Sequence, residues 1–280
     1  MAMEKTRIDR ILLALDSSAA NQNILRAGIT LASHFHSQLN VLFIEDADLI
    51  SAAELPFAHE IVLGLPSGRA INAAGMERSI QLQTTRLRKL VASAAQQNRI
   101  EIAFNVLRGN VARTLCEASS QTDLLIIGKN SLLQGKSRKV GSITRSVMSS
   151  VQCDLAVLHY GSNIDRPVVT SFTGSAASLR AVSLAVDLAH EDHDQLIIIL
   201  PATDDLKYQQ LHSAIEENFN IQQLRITLVR LSDNSTDQIL RVIQQFHGRI
   251  LLLESGSDFL TGEQKQALIA QADIPVIFLH

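Results

Sequence analysis

Tryptophan is absent from this 280-residue chain, tyrosine occurs only twice, and aromatic residues make up 4% of it. Stacking platforms of the kind that hold single-stranded nucleic acid are therefore not available. Cysteine is equally scarce. Cys116 and Cys153 cannot build a disulfide framework, and their apolar neighbours mark them as buried thiols of a cytoplasmic protein. No apolar run approaches the roughly 20 residues that span a bilayer. The first ten residues carry charge, with no apolar signal region behind them. Charge of one sign is also missing: 25 basic residues face 28 acidic ones, for a net charge of −3. Such a balance exerts no global pull on nucleic acid or on an anionic membrane, so neither is expected as a partner and any anion site must be local.

What is present is apolar material, 46% of the chain against 19% charged residues, enough for substantial cores. The length suggests two domains at roughly 100–200 residues each. Short runs rich in Val, Ile and Leu recur at 11–15, 39–44, 100–107, 124–127 and 155–158, then at 168–169, 196–200, 224–231, 250–253 and 274–279. Most are apolar at consecutive positions, as strands of a parallel sheet covered on both faces must be. Between them, segments such as 23–34, 79–97 and 111–119 carry apolar residues at helical spacing. The alternation predicts βαβ units with helices on both faces of a mostly parallel sheet.

The chain also repeats itself. The first and second strands of each half align at an offset of 156, the third at 124 and the fifth at 119. A tandem duplication follows, with domains over 1–161 and 162–280. The falling offset places extra residues in the first half at two points. One is the segment 45–75, whose apolar stretch 61–65 needs cover. A lid over a pocket, a dimer contact, or a short extra helix packed on its own domain would each supply it.

The other lies after the fourth strand. Gly128 opens a loop that closes at Gly141 and Ser142, where a helical pattern begins. Glycine at the end of a parallel strand lets backbone approach a ligand closely. Ser142 is placed to cap the helix, whose exposed N–H groups would form an anion site. Lys129, Lys136, Arg138 and Lys139 lie in the same loop with no acid among them. These features favour a phosphate-bearing ligand; the alternative is a basic surface loop whose glycines only make turns. Gly135-Lys136-Ser137 is not the end of a P-loop, because Asn130 stands where its first glycine would be.

The stretch GKNSLLQGKSRKVGS (128–142) resembles the universal stress protein family, which places G-x2-G-x9-G-[S/T] after its fourth strand. Ser131 replaces the second glycine. The resemblance extends over 10–32, with Asp16 ending the first strand, over 108–128 and over 153–159. It implies two tandem Rossmann-like domains of the adenine nucleotide alpha hydrolase-like α/β class. Each would have a five-stranded, mostly parallel sheet of order 3-2-1-4-5. It further implies that Asp16, Val41, Gly128, Asn130, Ser131, Gly141, Ser142, Ile143 and Thr144 hold ATP, or ADP or AMP, with Mg2+. For Asp16 the competing reading is a helix cap.

In the second half Phe172 stands at the position of Asp16, and Glu254 at that of Gly128. Glu254, Asp258 and Glu263 would repel polyphosphate there, so this half is expected to pack against the first rather than to bind nucleotide in the same way. Gly256 and Gly262 read as turn residues. The run His190-Glu191-Asp192-His193 brings its second histidine one residue too soon for a zinc-protease helix, and no metal ligand set or catalytic set emerges. The reading is a cytoplasmic nucleotide-binding regulatory protein with at most slow ATP hydrolysis. Its two halves would pair with each other, with a homodimer and an unidentified protein partner as further options. The alternative is a scaffold or dimerisation module without nucleotide, with a different ligand under the 45–75 segment.

Overall fold

The computed structural model describes residues 7–18, 21–55, 59–60, 69–70, 73–129, 140–159, 161, 164, 167–189, 195–219, 225–256 and 259–280. The first half runs β1 (Arg10–Leu15), α1 (Asn21–Phe35), β2 (Gln38–Asp46), α2 (Ala47–Ala53), β3 (His59–Glu60), β4 (Arg69–Ala70), α3 (Ala73–Asn98), β5 (Ile102–Gly109), α4 (Val111–Ser119), β6 (Leu124–Gly128), α5 (Ser142–Ser150) and β7 (Asp154–Leu158). The second runs β8 (Val168–Ser171), α6 (Ala176–Ala189), β9 (Gln195–Pro201), α7 (Asp205–Asn218), β10 (Arg225–Leu231), α8 (Thr236–Gln245), β11 (Ile250–Glu254), α9 (Gly262–Gln271) and β12 (Val276–Leu279).

Ten of the strands form one sheet in the order β10-β9-β8-β11-β12-β7-β6-β1-β2-β5. Apart from the separate antiparallel pair β3–β4, each half contributes five strands in the expected 3-2-1-4-5 order, paired in parallel within the half. The halves meet where the two last strands, β7 and β12, pair antiparallel, with Ala156 opposite Ile277. An apolar strand left at an open edge would recruit another chain, and this pairing removes two such edges at once.

The cores divide by face of the sheet. Leu13, Ile126, Ala156, Ile277, Leu252 and Ile198 point to the face covered by α1, α3, α6 and α7. Their neighbours Leu12, Leu125, Leu155, Val276, Leu251 and Ile197 point to the face covered by α4, α5, α8 and α9. Each cluster runs through the β7–β12 join, which is why the strands are apolar at consecutive positions.

Pairing also corrects the internal register. Ile11 pairs with Leu39 and Leu124, and Val168 with Leu196 and Ile250, so the first two strands of each half correspond at an offset of 157. Side-chain direction agrees, since Ile11 and Val168 both belong to the first face. Thr173, not Phe172, therefore stands where Asp16 does. The third-strand offset of 124 holds, as does the placement of Glu254 opposite Gly128. The fifth strand corresponds at 121 rather than 119, with Leu155 matching Val276.

Of the 45–75 segment, 47–53 forms α2, which is capped by Asp46 and packs on α3. The short extra helix is thus the form taken by that part; the apolar stretch 61–65 lies outside the described residues. Gly262 is the first residue of α9, behind a capping box of Thr261 and Gln264, rather than a turn residue.

Candidate functional site

A cavity of about 290 Å3 opens at the carboxyl ends of β1, β2 and β6. This is the point where the strand order reverses, the place at which open parallel sheets take ligands. β1 contributes Ala14, Leu15 and Asp16, β6 contributes Ile127 and Gly128, and α5 contributes Ile143 and Thr144. Leu42 to Asp46 of β2 form the opposite wall, with Leu49 of α2, Ile80 and Gln83 of α3, and Val111 and Leu115 of α4. Four residues named from the sequence, Asp16, Gly128, Ile143 and Thr144, are thus brought to one cavity.

Asp16 follows β1 directly and turns the chain. Its Oδ1 accepts the Ser18 N–H at 2.7 Å, while its own N–H donates to Oδ1 of Asn21 at 3.3 Å. The carboxylate serves this turn rather than the first residue of α1, which is Asn21. Val41 is fully buried, pairs with Leu13 and Phe104, and belongs to the core; the β2 wall of the cavity begins at Leu42. Asn130 and Ser131 lie outside the described residues, as do Lys136, Arg138 and Lys139.

The base of the loop is fastened on both sides. The buried Thr144 hydroxyl lies 3.1 Å from the Gly128 carbonyl and 3.2 Å from that of Lys129 and donates there. The Gly141 N–H donates to the Lys129 carbonyl at 3.2 Å, and the Lys129 N–H to the Leu158 carbonyl at 2.7 Å. The helix cap is Gly141, one residue earlier than expected, and Ser142 is the first helical residue. Gly141 has φ −61 and ψ 153, open to any residue, but as glycine it offers no side-chain acceptor to the first N–H groups of α5. Other helices spend theirs: Asn110, Asp204 and Ser235 cap α4, α7 and α8 with side-chain oxygens. An uncapped helix start beside a cavity is suited to an anion.

The wall charges point the other way. Asp16, Glu45 and Asp46 line the cavity, and among the described lining residues there is no Lys or Arg. Glu45 is paired with Arg108 at 2.9 Å, and Arg108 also reaches Glu77 at 3.3 Å. Asp46 accepts the N–H groups of Asp48 and Leu49 as the cap of α2. Of these three acids only Asp16 is legible as a site residue in the sequence. Glu45 and Asp46 are the last two residues of β2, and the apolar alternation of Leu42 and Ile44 was the available signal. Lys129 does not face the cavity. The residue is 7% exposed, and its Nζ donates to the Ala270 carbonyl of α9 at 2.7 Å.

The corresponding place in the second half holds a carboxylate. The buried Glu254 carboxylate accepts the hydroxyls of Thr173 and Ser175. A carboxylate thus stands where the first half has only the Gly128 backbone. The Lys265 ammonium bonds the next carbonyl, that of Ser255.

Cys116 and Cys153 are half-buried, and burial pushes both thiols up, away from the reactive thiolate. Among the described residues no group of three His, Cys, Asp or Glu side chains is arranged to hold a metal ion, and no helix is long and apolar enough to cross a membrane. The run 190–193 lies outside them.

Known structures share this architecture. A universal stress protein from Archaeoglobus fulgidus superposes with a TM-score of 0.70 at 16% identity, covering 98% of this chain and 97% of that one. A functionally unknown protein from Pseudomonas aeruginosa gives 0.62 at 14% identity, with 98% and 93% covered. The cytoplasmic domain of a prokaryotic cation chloride cotransporter gives 0.51 at 10%, over 97% and 95%. At these identities the likeness is one of fold. Sequence decides more, for the profile of the universal stress protein family matches residues 7–159, which include every element that lines the cavity. The chain therefore belongs to the universal stress protein family.

Proposed function

We propose that the cavity of the first half binds an adenine nucleotide and that the protein acts as a nucleotide-responsive regulatory module. The observation that carries this reading is the meeting of the Gly128 strand end and the glycine-capped start of α5 in one cavity at the switch point. The volume is near the lower end of small-molecule sites, about 300–1,000 Å3. Its apolar part, Leu42, Ile44, Ile80, Val111 and Leu115, suits a flat base, and the α5 N–H groups suit phosphate oxygens. The donor set fits Mg2+ only as a companion of the phosphates. Asp16 offers carboxylate oxygen, while Glu45 and Asp46 are engaged by Arg108 and by α2. Bound nucleotide would bias the position of α5 and so present a different surface to a partner. Dividing the chain at 161 and 162 assigns one half-sheet to each domain, the first for ligand and the second for support.

A second reading has its own observation. Three carboxylates at the wall, with Lys129 turned away, favour a scaffold module that takes no polyphosphate. Protein purified without added nucleotide, then denatured and stripped of polypeptide, separates the two. Mass spectrometry of the released small molecules should find ATP, ADP or AMP near one per chain, and calorimetric titration of the emptied protein should recover binding. No nucleotide released and no heat on titration would leave the scaffold reading.

A further inference from the structure

Lys129 is the one cation of the glycine loop whose position is described, and its side chain does not serve the cavity. The backbone and the side chain of this residue do two different jobs. Its carbonyl receives both the Gly141 N–H at 3.2 Å and the Thr144 hydroxyl at 3.2 Å, so it sets where α5 begins. Its side chain crosses the join between the halves, and its Nζ donates to the Ala270 carbonyl at 2.7 Å. Ala270 belongs to the last turn of α9, where carbonyls lack helical partners and the helix dipole is negative. Asp273, just beyond that turn, adds a favourable charge. The residue is 7% exposed, and its burial makes each bond to the ammonium count for more than on a wet surface.

We infer that Lys129 is a positioning residue through which α9 of the second half holds the start of α5 beside the cavity of the first, so that this wall of the site is held in place only in the paired chain. The second half, whose own equivalent place holds Glu254, thereby serves as an anchor for α5 of its neighbour. Coupling of this kind is reciprocal, so a ligand that fixes the start of α5 also steadies the end of α9. The inference rests on the nucleotide reading only for the identity of the ligand.

The test uses the full chain and Lys129→Met, which keeps the apolar stem and removes the donor. Hydrogen exchange without ligand should be faster in the variant at 141–145, with the rest of the first-half sheet unchanged. Calorimetry with ADP should show affinity about tenfold weaker. In the wild type ADP should slow exchange at 268–272, and in Lys129→Met it should not. Arg180→Met is the control, because Arg180 ties the same join through Asp154 and lies away from the loop. If loosening the join were all that mattered, it would accelerate exchange at 141–145 equally. Equal effects of the two variants, or unchanged exchange at 141–145 in Lys129→Met, would overturn the inference. Absence of ADP binding to the wild type would defeat the nucleotide reading alone, since exchange at 141–145 judges the tie without ligand.

Discussion

Gly141 carries two opposed demands. Its backbone is ordinary for any residue, so glycine is not there for conformational freedom. What glycine supplies is the lack of a side-chain acceptor for the first N–H groups of α5, next to the cavity lined by Ile143 and Thr144. Gly141→Asp should cap the helix and raise stability by a few tenths of a kcal/mol. The same carboxylate should repel phosphate and weaken ADP binding at least tenfold. Thermal unfolding and calorimetry on one preparation read both effects, and a loss of stability would contradict the cap. His159 is the other telling residue. Burial, with the Lys129 charge beside it, brings its imidazole down from 6.5 to about 4. The folded chain therefore refuses a proton that the unfolded chain accepts between those values. Stability should be full above about pH 6.5 and fall by about 3 kcal/mol as pH drops towards 4. Burial lowers His280 too, in the same sense. Urea unfolding from pH 7.5 to 4 measures the slope, and His159→Gln should flatten it.

At the scale of elements, the join between β7 and β12 has a polar fastening as well as an apolar one. Asp154, 2% exposed at the start of β7, accepts both terminal nitrogens of Arg180 from α6, one of them at 2.7 Å. It also accepts the His280 N–H at 3.0 Å, and Arg180 donates to the His280 carbonyl at 2.9 Å. Removing one member of such a set strands the other in a poorly solvated place. Asp154→Ala should cost about 3 kcal/mol, read as a lower urea midpoint. An unchanged midpoint would mean that the apolar pairing of Ala156 with Ile277 carries the join alone. The start of α5 has a different kind of fastening: the Lys129 carbonyl accepts both the Gly141 N–H and the Thr144 hydroxyl.

Across the whole molecule, the two half-sheets share their cores, each face running through the join. The halves therefore fold as partners, and a change on one side is felt on the other. The asymmetry lies in the sites. One half presents a cavity with the Gly128 backbone at its floor. The other answers at that place with Glu254 held by Thr173 and Ser175. Two half-sheets of the same strand order thus carry unlike side chains at their strand ends.

The sequence by itself determined the strands, their parallel sense and the site's neighbourhood. Apolar residues at consecutive positions require cover on both faces, and a glycine after the fourth strand marks where backbone comes nearest a ligand. Tertiary structure alone decided the register and the direction of side chains. A strand that is apolar on both faces tolerates a slip of one residue in its pattern, so an offset of 156 and one of 157 read alike; the ladder of hydrogen bonds chose the latter and put Thr173 opposite Asp16. The same holds for Lys129. A lysine in a basic loop reads as a ligand group, and only the arrival of α9 from 141 residues away turns it into a tie between the halves.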